Sequence, residues 1–162
     1  MDEICDSTYF ESVLKDKVPT MTDYNKPSGI VTFSSEASSY KAWWIFDGGH
    51  QGGHNVDTWS FCFNTESNQW VQYEFENNTM ICKFELNLYK QGTISNSEYY
   101  IEGSNDNSNF DILYTGITAN GMNTSCLTKI GYYKYYRIRF KEQTNPGNNL
   151  WRIKSLQFYG HS

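Results

Sequence analysis

The chain has 162 residues and a net charge of −5, with 17% aromatic and only 19% charged residues. That length suits one domain with a substantial core. The cations are few and scattered, which excludes nucleic acid as a partner because phosphate-backbone binding needs a clustered basic face. No apolar run approaches the roughly 18 residues of a membrane-spanning helix, so no membrane partner is expected.

The first residues, Met1-Asp2-Glu3-Ile4-Cys5-Asp6, are acidic and carry no apolar stretch of the kind a signal peptide needs. Residues 1–17 read as an N-terminal arm, distinct from a domain spanning 18–162. Within the arm, Phe10, Val13 and Leu14 fall on one side of one or two helical turns, and Pro19 bounds them. The arm is expected to pack on the domain or to dock to a partner protein.

From there the signals are those of strands. A short run occupies Gly29–Phe33. Val71, Tyr73 and Phe75 alternate with Gln72 and Glu74, and Met80, Cys82, Phe84, Leu86 and Leu88 alternate with polar residues in the same way. Further runs cover Glu98–Glu102, Phe110–Tyr114 and Ile153–Tyr159, and Tyr136, Ile138 and Phe140 alternate with Arg137 and Arg139. Polar turn segments separate them, such as 105–109 and 145–149. Seven or eight strands at this spacing predict an all-β, antiparallel β-sandwich. Trp59 and Trp70 are expected in the core, and Arg137 in an ion pair on the sheet surface. The four cysteines, Cys5, Cys62, Cys82 and Cys126, form no CxxC pair. They read as buried thiols, with a Cys62–Cys82 disulfide as the alternative.

Several segments, in order, resemble the discoidin family (coagulation-factor C-type, galactose-binding-like). Ala37-Ser38-Ser39 with Ile45-Phe46-Asp47-Gly48 is similar to its first block, and Thr58-Trp59-Ser60 to the tryptophan motif that follows. Trp70–Phe75 resembles its "WIQIDL" strand, and Tyr99–Asp106 its "Y-x-I-x-x-S-N-D" hairpin. Tyr135–Ile138 is similar to "Y-v-R-I", and Ser155–Gly160 to the closing "E-L-E-l-y-G". The resemblance spans about residues 18–160. It implies a jelly-roll sandwich whose loops at one end bind glycans, lipids or proteins.

The family's ligand-facing loops correspond to Ser34–Trp44, Gly48–Asp57 and Tyr89–Ser97, with Lys141–Trp151 as a fourth wall. They unite aromatic faces with planar polar groups, the mixture a sugar site needs. Glu36, Tyr40, Trp44, His50, His54, Tyr89, Lys90, Asn149 and Trp151 are the candidate glycan contacts. In particular, Trp44 or Tyr89 is expected to form a stacking platform between the 48–57 and 89–97 loops, with His50, His54 and Lys90 donating hydrogen bonds. Trp43 is assigned to the core. The four glycines around His50 and His54 argue against the helix that a zinc pair at this spacing would require. The family also implies a structural calcium near Asp47, drawing on Asp57 and Thr58. Ser155 stands where the family has a closing Glu, which removes a charged ligand, so no cofactor is expected to be required.

No HExxH, GxSxG or paired-carboxylate motif is present, so the expected function is non-catalytic. The leading reading is a carbohydrate-binding adhesion module attaching its parent particle to cell-surface or mucosal glycans. Its composition and lack of a signal peptide resemble bacteriophage virion accessory proteins. That places it outside the cell on a virion surface, joined to other virion proteins or to further copies of itself through the arm. The alternative is a structural decoration or tail protein using the fold for protein–protein contacts only. Phospholipid binding has a single supporting feature, Trp43-Trp44 beside Lys41.

Overall fold

The computed structural model describes residues 14–36, 40–48, 67–142 and 149–161. These build nine strands: β1 (Leu14–Asp16), β2 (Ile30–Phe33), β3 (Gln69–Met80), β4 (Lys83–Gln91), β5 (Glu98–Ser104), β6 (Asp111–Ile117), β7 (Gly121–Cys126), β8 (Tyr132–Phe140) and β9 (Leu150–His161). One 3-10 helix, η1 (Ala42–Phe46), joins them, and there is no α-helix among the described residues. The strands form a four-stranded sheet in the order β1-β9-β4-β7 and a five-stranded sheet in the order β2-β3-β8-β5-β6, with every pairing among the described strands antiparallel. The expected all-β antiparallel sandwich is therefore the fold.

Period-two alternation decides which residues enter the core. Val71, Tyr73 and Phe75 of β3 are buried, as are Phe84, Leu86 and Leu88 of β4 and Tyr136, Ile138 and Phe140 of β8. Their rings meet edge-on, with Tyr73 4.7 Å from Phe75 and Phe75 5.7 Å from Tyr136, the geometry the ring quadrupole favours. Tyr136 and Tyr73, both deeply buried, keep their hydroxyls satisfied. Tyr136 donates to the Thr79 carbonyl at 2.6 Å and accepts from the Ile81 N–H at 3.2 Å, and burial pushes its pKa well up. Tyr73 donates to the Ser28 carbonyl at 2.9 Å and lies where a Cβ on residue 29 would be. Gly29 adopts φ +73°, so only glycine fits that turn.

Several expectations change on folding. Leu14 lies in β1, an edge strand pairing with the end of β9, and not on a helix; residues 14–16 thus belong to the sheet, while Phe10 and Val13 fall outside the described residues. Trp70 is half-buried on the outer face of the five-stranded sheet, 5.6 Å from the Arg137 guanidinium, so it is not a core residue. β7 (GMNTSC) carries no apolar alternation that would announce it; as an edge strand beside β4 it meets a partner on one side only. Cys82 is a buried free thiol, which rules out the Cys62–Cys82 bond. Cys126 is instead disulfide-bonded.

Candidate functional site

The connections send β2, β4, β6 and β8 to end, and β3, β5, β7 and β9 to start, at the same end of the sandwich. Loop residues there are tied to one another by hydrogen bonds. The Ser97 N–H donates to Thr118 Oγ1 at 2.9 Å and the Thr118 N–H to the Ser97 carbonyl at 2.8 Å. The Lys90 N–H donates to Asn120 Oδ1 at 2.9 Å, and the Thr93 N–H to Asn149 Oδ1 at 2.7 Å. A rim built this way holds its side chains in place before any ligand arrives, which spares the ordering cost of binding.

Below that rim, on the outer face of the four-stranded sheet, several groups converge. Tyr89 of β4 is the register partner of Arg152 of β9, so the two side chains stand on one face, adjacent across the strands. Arg152 is 7% exposed, stacks 4.3 Å from the ring centroid of Tyr40 and donates to Gln91 Oε1 at 3.2 Å. Tyr89 remains 39% exposed, with Lys154 Nζ 5.6 Å from its ring centroid. Planar rings, a planar guanidinium and an amide thus lie together, with one ring open to solvent. Further along the same face is a cleft of about 300 Å³ lined by Asp16, Thr20, Gly48, Glu85, Ser155 and Tyr159, among others. In it the Tyr159 hydroxyl donates to Glu85 Oε2 at 2.8 Å; burial first, and the carboxylate second, push the phenol's pKa well up.

The sequence candidates divide accordingly. Tyr40 and Tyr89 fall in this cluster. Lys90 is exposed but pairs in register with Trp151, on the opposite side of β4 from Tyr89, so alternation separates the two residues expected to act together. Trp151 is 1% exposed and its Nε1–H donates to the Ser95 carbonyl at 3.3 Å: it is a core residue that anchors the 92–97 turn from beneath. Asn149 holds that same turn, accepting from Thr93 beside Gly92.

Glu36 also has a structural task. Its carboxylate accepts from the Tyr24 hydroxyl at 2.8 Å and from the Ala42 N–H at 2.9 Å, with Lys41 Nζ at 3.9 Å. That fixes the start of η1, where an acidic group suits the exposed N–H groups. Trp44 is half-buried in η1, edge-on to Trp43 at 6.4 Å, and Trp43 packs partly against the core. His50, His54, Asp57 and Thr58 lie outside the described residues.

Of the calcium candidates, Asp47 is 2% exposed. No group of three or more His, Cys, Asp or Glu gathers among the described residues, and Ser155 offers a neutral hydroxyl where a charged oxygen was wanted.

Sequence reading missed Arg152, Lys154 and Gln91. Arg152 follows Trp151 in the sequence with no motif around it, and only the β4–β9 register places it beside Tyr89.

No protein-family model and no curated protein matches the chain. Solved structures do. The chain is similar to chitosan-binding module 1 of a chitosanase/glucanase from Paenibacillus sp. IK-5, with 22% identity and a TM-score of 0.61 over 82% of this chain and 95% of that one. Module 2 of the same enzyme, solved in complex with chitotriose, gives 17% and 0.63 over 82% and 96%. The family 32 carbohydrate-binding module of C. perfringens NanJ, in complex with galactose, gives 15% and 0.60 over 91% and 99%. The fold is that of these modules. At such identities the likeness shows the fold alone.

Proposed function

We propose that this protein is a non-catalytic carbohydrate-binding module that attaches a larger particle or protein to surface glycans. The observation that carries this reading is the Tyr40–Arg152–Tyr89 cluster on a fold shared with modules solved with chitotriose and galactose. Sugar recognition needs a flat ring for the C–H face and fixed planar donors for the hydroxyls. Tyr89 supplies the first, Arg152 and Gln91 the second, and the stacking on Tyr40 holds the guanidinium before a ligand arrives. The disulfide at Cys126 suits an oxidising exterior, where such bonds persist.

A face this open gives weak single-site affinity, on the order of millimolar to tens of micromolar. Useful attachment then comes from many copies on one particle, because linked sites gain avidity without new contacts. That role, including display on a virion, forms part of the proposal.

The test is an oligosaccharide array with the purified chain, followed by calorimetric titration of the hits and of the Tyr89→Ala variant. Binding by the wild type, lost in Tyr89→Ala at an unchanged melting temperature, supports the reading. If no glycan binds the wild type, the protein–protein decoration role takes its place.

A further inference from the structure

We infer that the sugar taken at this face carries a carboxylate, recognised by Lys154 and Arg152 while its ring packs on Tyr89. The inference rests on the glycan-binding reading and goes further, naming the charge class of the ligand. Its first support is the charge distribution. The chain has 18 acidic and 13 basic residues, so its average surface repels anions. The paired ends of β4 and β9 reverse that balance. Residues 87–91 and 150–155 contain Lys90, Arg152 and Lys154 and no Asp or Glu.

The second support is geometric. The β4–β9 ladder shifts register between Asn87, paired with Ser155, and Leu88, paired with Ile153. Lys154 is the residue left without a partner in that ladder, and bulges of this kind re-aim side chains at functional sites. Its ammonium ends 5.6 Å from the centroid of the exposed Tyr89 ring.

The third support is what Lys154 does not contact. Lys41, Lys129, Lys134, Lys141, Arg137 and Arg139 each hold a carboxylate within 4.0 Å. Among the described residues neither Lys154 nor Lys90 does, and Lys15, Lys17 and Lys26 share that lack; Lys154 differs from them in standing beside the exposed Tyr89 ring. A cation kept beside an open aromatic face, with no internal counter-ion drawn to it, suits a ligand that brings its own. At the other end of the face lie Asp16 and Glu85 in the cleft. An acidic sugar is therefore oriented as well as attracted, since its carboxylate is repelled from that end, and repulsion sharpens specificity as attraction does.

The experiment compares acidic oligosaccharides with their own methyl esters, which keep the sugar ring and remove the charge. The full chain is titrated with oligogalacturonate, oligomannuronate and oligoglucuronate, with each corresponding ester, and with neutral and sulfated oligosaccharides. The expected result is a preference for at least one acid over its ester of about tenfold at low salt, the scale of one charge-assisted contact. That preference should shrink in 0.5 M salt as screening sets in. In Lys154→Gln the acid-to-ester ratio should fall towards one, with the melting temperature held. If esters or neutral oligosaccharides bind as tightly as the acids, the charge inference is overturned and the glycan reading stands. If sulfated oligosaccharides alone bind, the carboxylate assignment is overturned. If nothing in the panel binds, both fall together.

Discussion

Glu102 is a buried carboxylate on the outer face of a sheet, and replacing it with Ala should destabilise the fold measurably. Its side chain is 4% exposed and accepts from Arg137 Nε at 2.8 Å, Arg139 Nε at 3.0 Å and Arg139 Nη2 at 3.0 Å. Its register partner is Arg137, and Arg139 is two residues further along β8. The aromatic rings close over the group: Arg137 lies 3.5 Å from the Phe110 centroid and Arg139 4.4 Å from that of Tyr100.

Removing one partner from a buried ion pair costs about 3–5 kcal/mol, because it strands the charge left behind. Here the two guanidiniums retain 17% and 21% side-chain exposure, and Arg139 keeps its bond to Asn68 Oδ1 at 2.8 Å. Water can therefore reach them in part, which lowers the expected loss to about 2–3 kcal/mol. For a domain of this size that is a fall in Tm of about 5–10 °C. Glu102→Gln keeps one acceptor and loses the charge, so its loss should be roughly half as large. Urea denaturation and calorimetry on the three proteins measure this directly. A Tm within about 2 °C of wild type for Glu102→Ala would show that the network is solvated and contributes nothing net.

Trp151→Ala should cost about 3–5 kcal/mol by leaving a cavity under the 92–97 turn; a variant that keeps its urea midpoint but loses sugar binding would return Trp151 to the ligand site. Asp106 accepts from the N–H groups of Ser108 and Asn109, the Asn109 amide and the Ser104 hydroxyl, and these bonds hold its pKa well below the ordinary carboxylate range. Its stabilisation is present above the unfolded value of about 3.9 and is lost as pH falls through the lower folded value. Acid titration of Asp106→Asn should therefore show a shallower loss of stability below about pH 4 than the wild type shows; parallel curves would refute it. Cys82 is fully buried and its thiol pKa is raised, chiefly by burial, so it should resist alkylation in the native protein and react on unfolding. Reduction should lower stability by about 2–4 kcal/mol through the disulfide at Cys126, and an unchanged melting curve in reductant would contradict that.

The sequence by itself determined the sandwich. Alternation of apolar and polar residues is a local property, and over β3, β4 and β8 it names the inward faces without reference to any partner strand. It failed where burial is one-sided or absent: β7 has no apolar face to alternate, and the short β1 is held by hydrogen bonds to β9 that residue types do not encode. Tyr40 and Tyr89 could be nominated because aromatic residues in loop-adjacent positions are visible in a sequence. Arg152 and Lys154 could not, since their relation to Tyr89 exists only through the β4–β9 register and the bulge that leaves Lys154 unpaired in the ladder. Trp151 and Lys90 show the converse. They are adjacent in space as a register pair, and both were chemically apt for sugar contact, yet tertiary packing buried the tryptophan and placed the lysine on the opposite side of β4 from the tyrosine it was expected to assist. Which residues are apolar is written along the chain; which strand end meets which, and hence what chemistry collects at the site, is decided only when the two sheets close on their core.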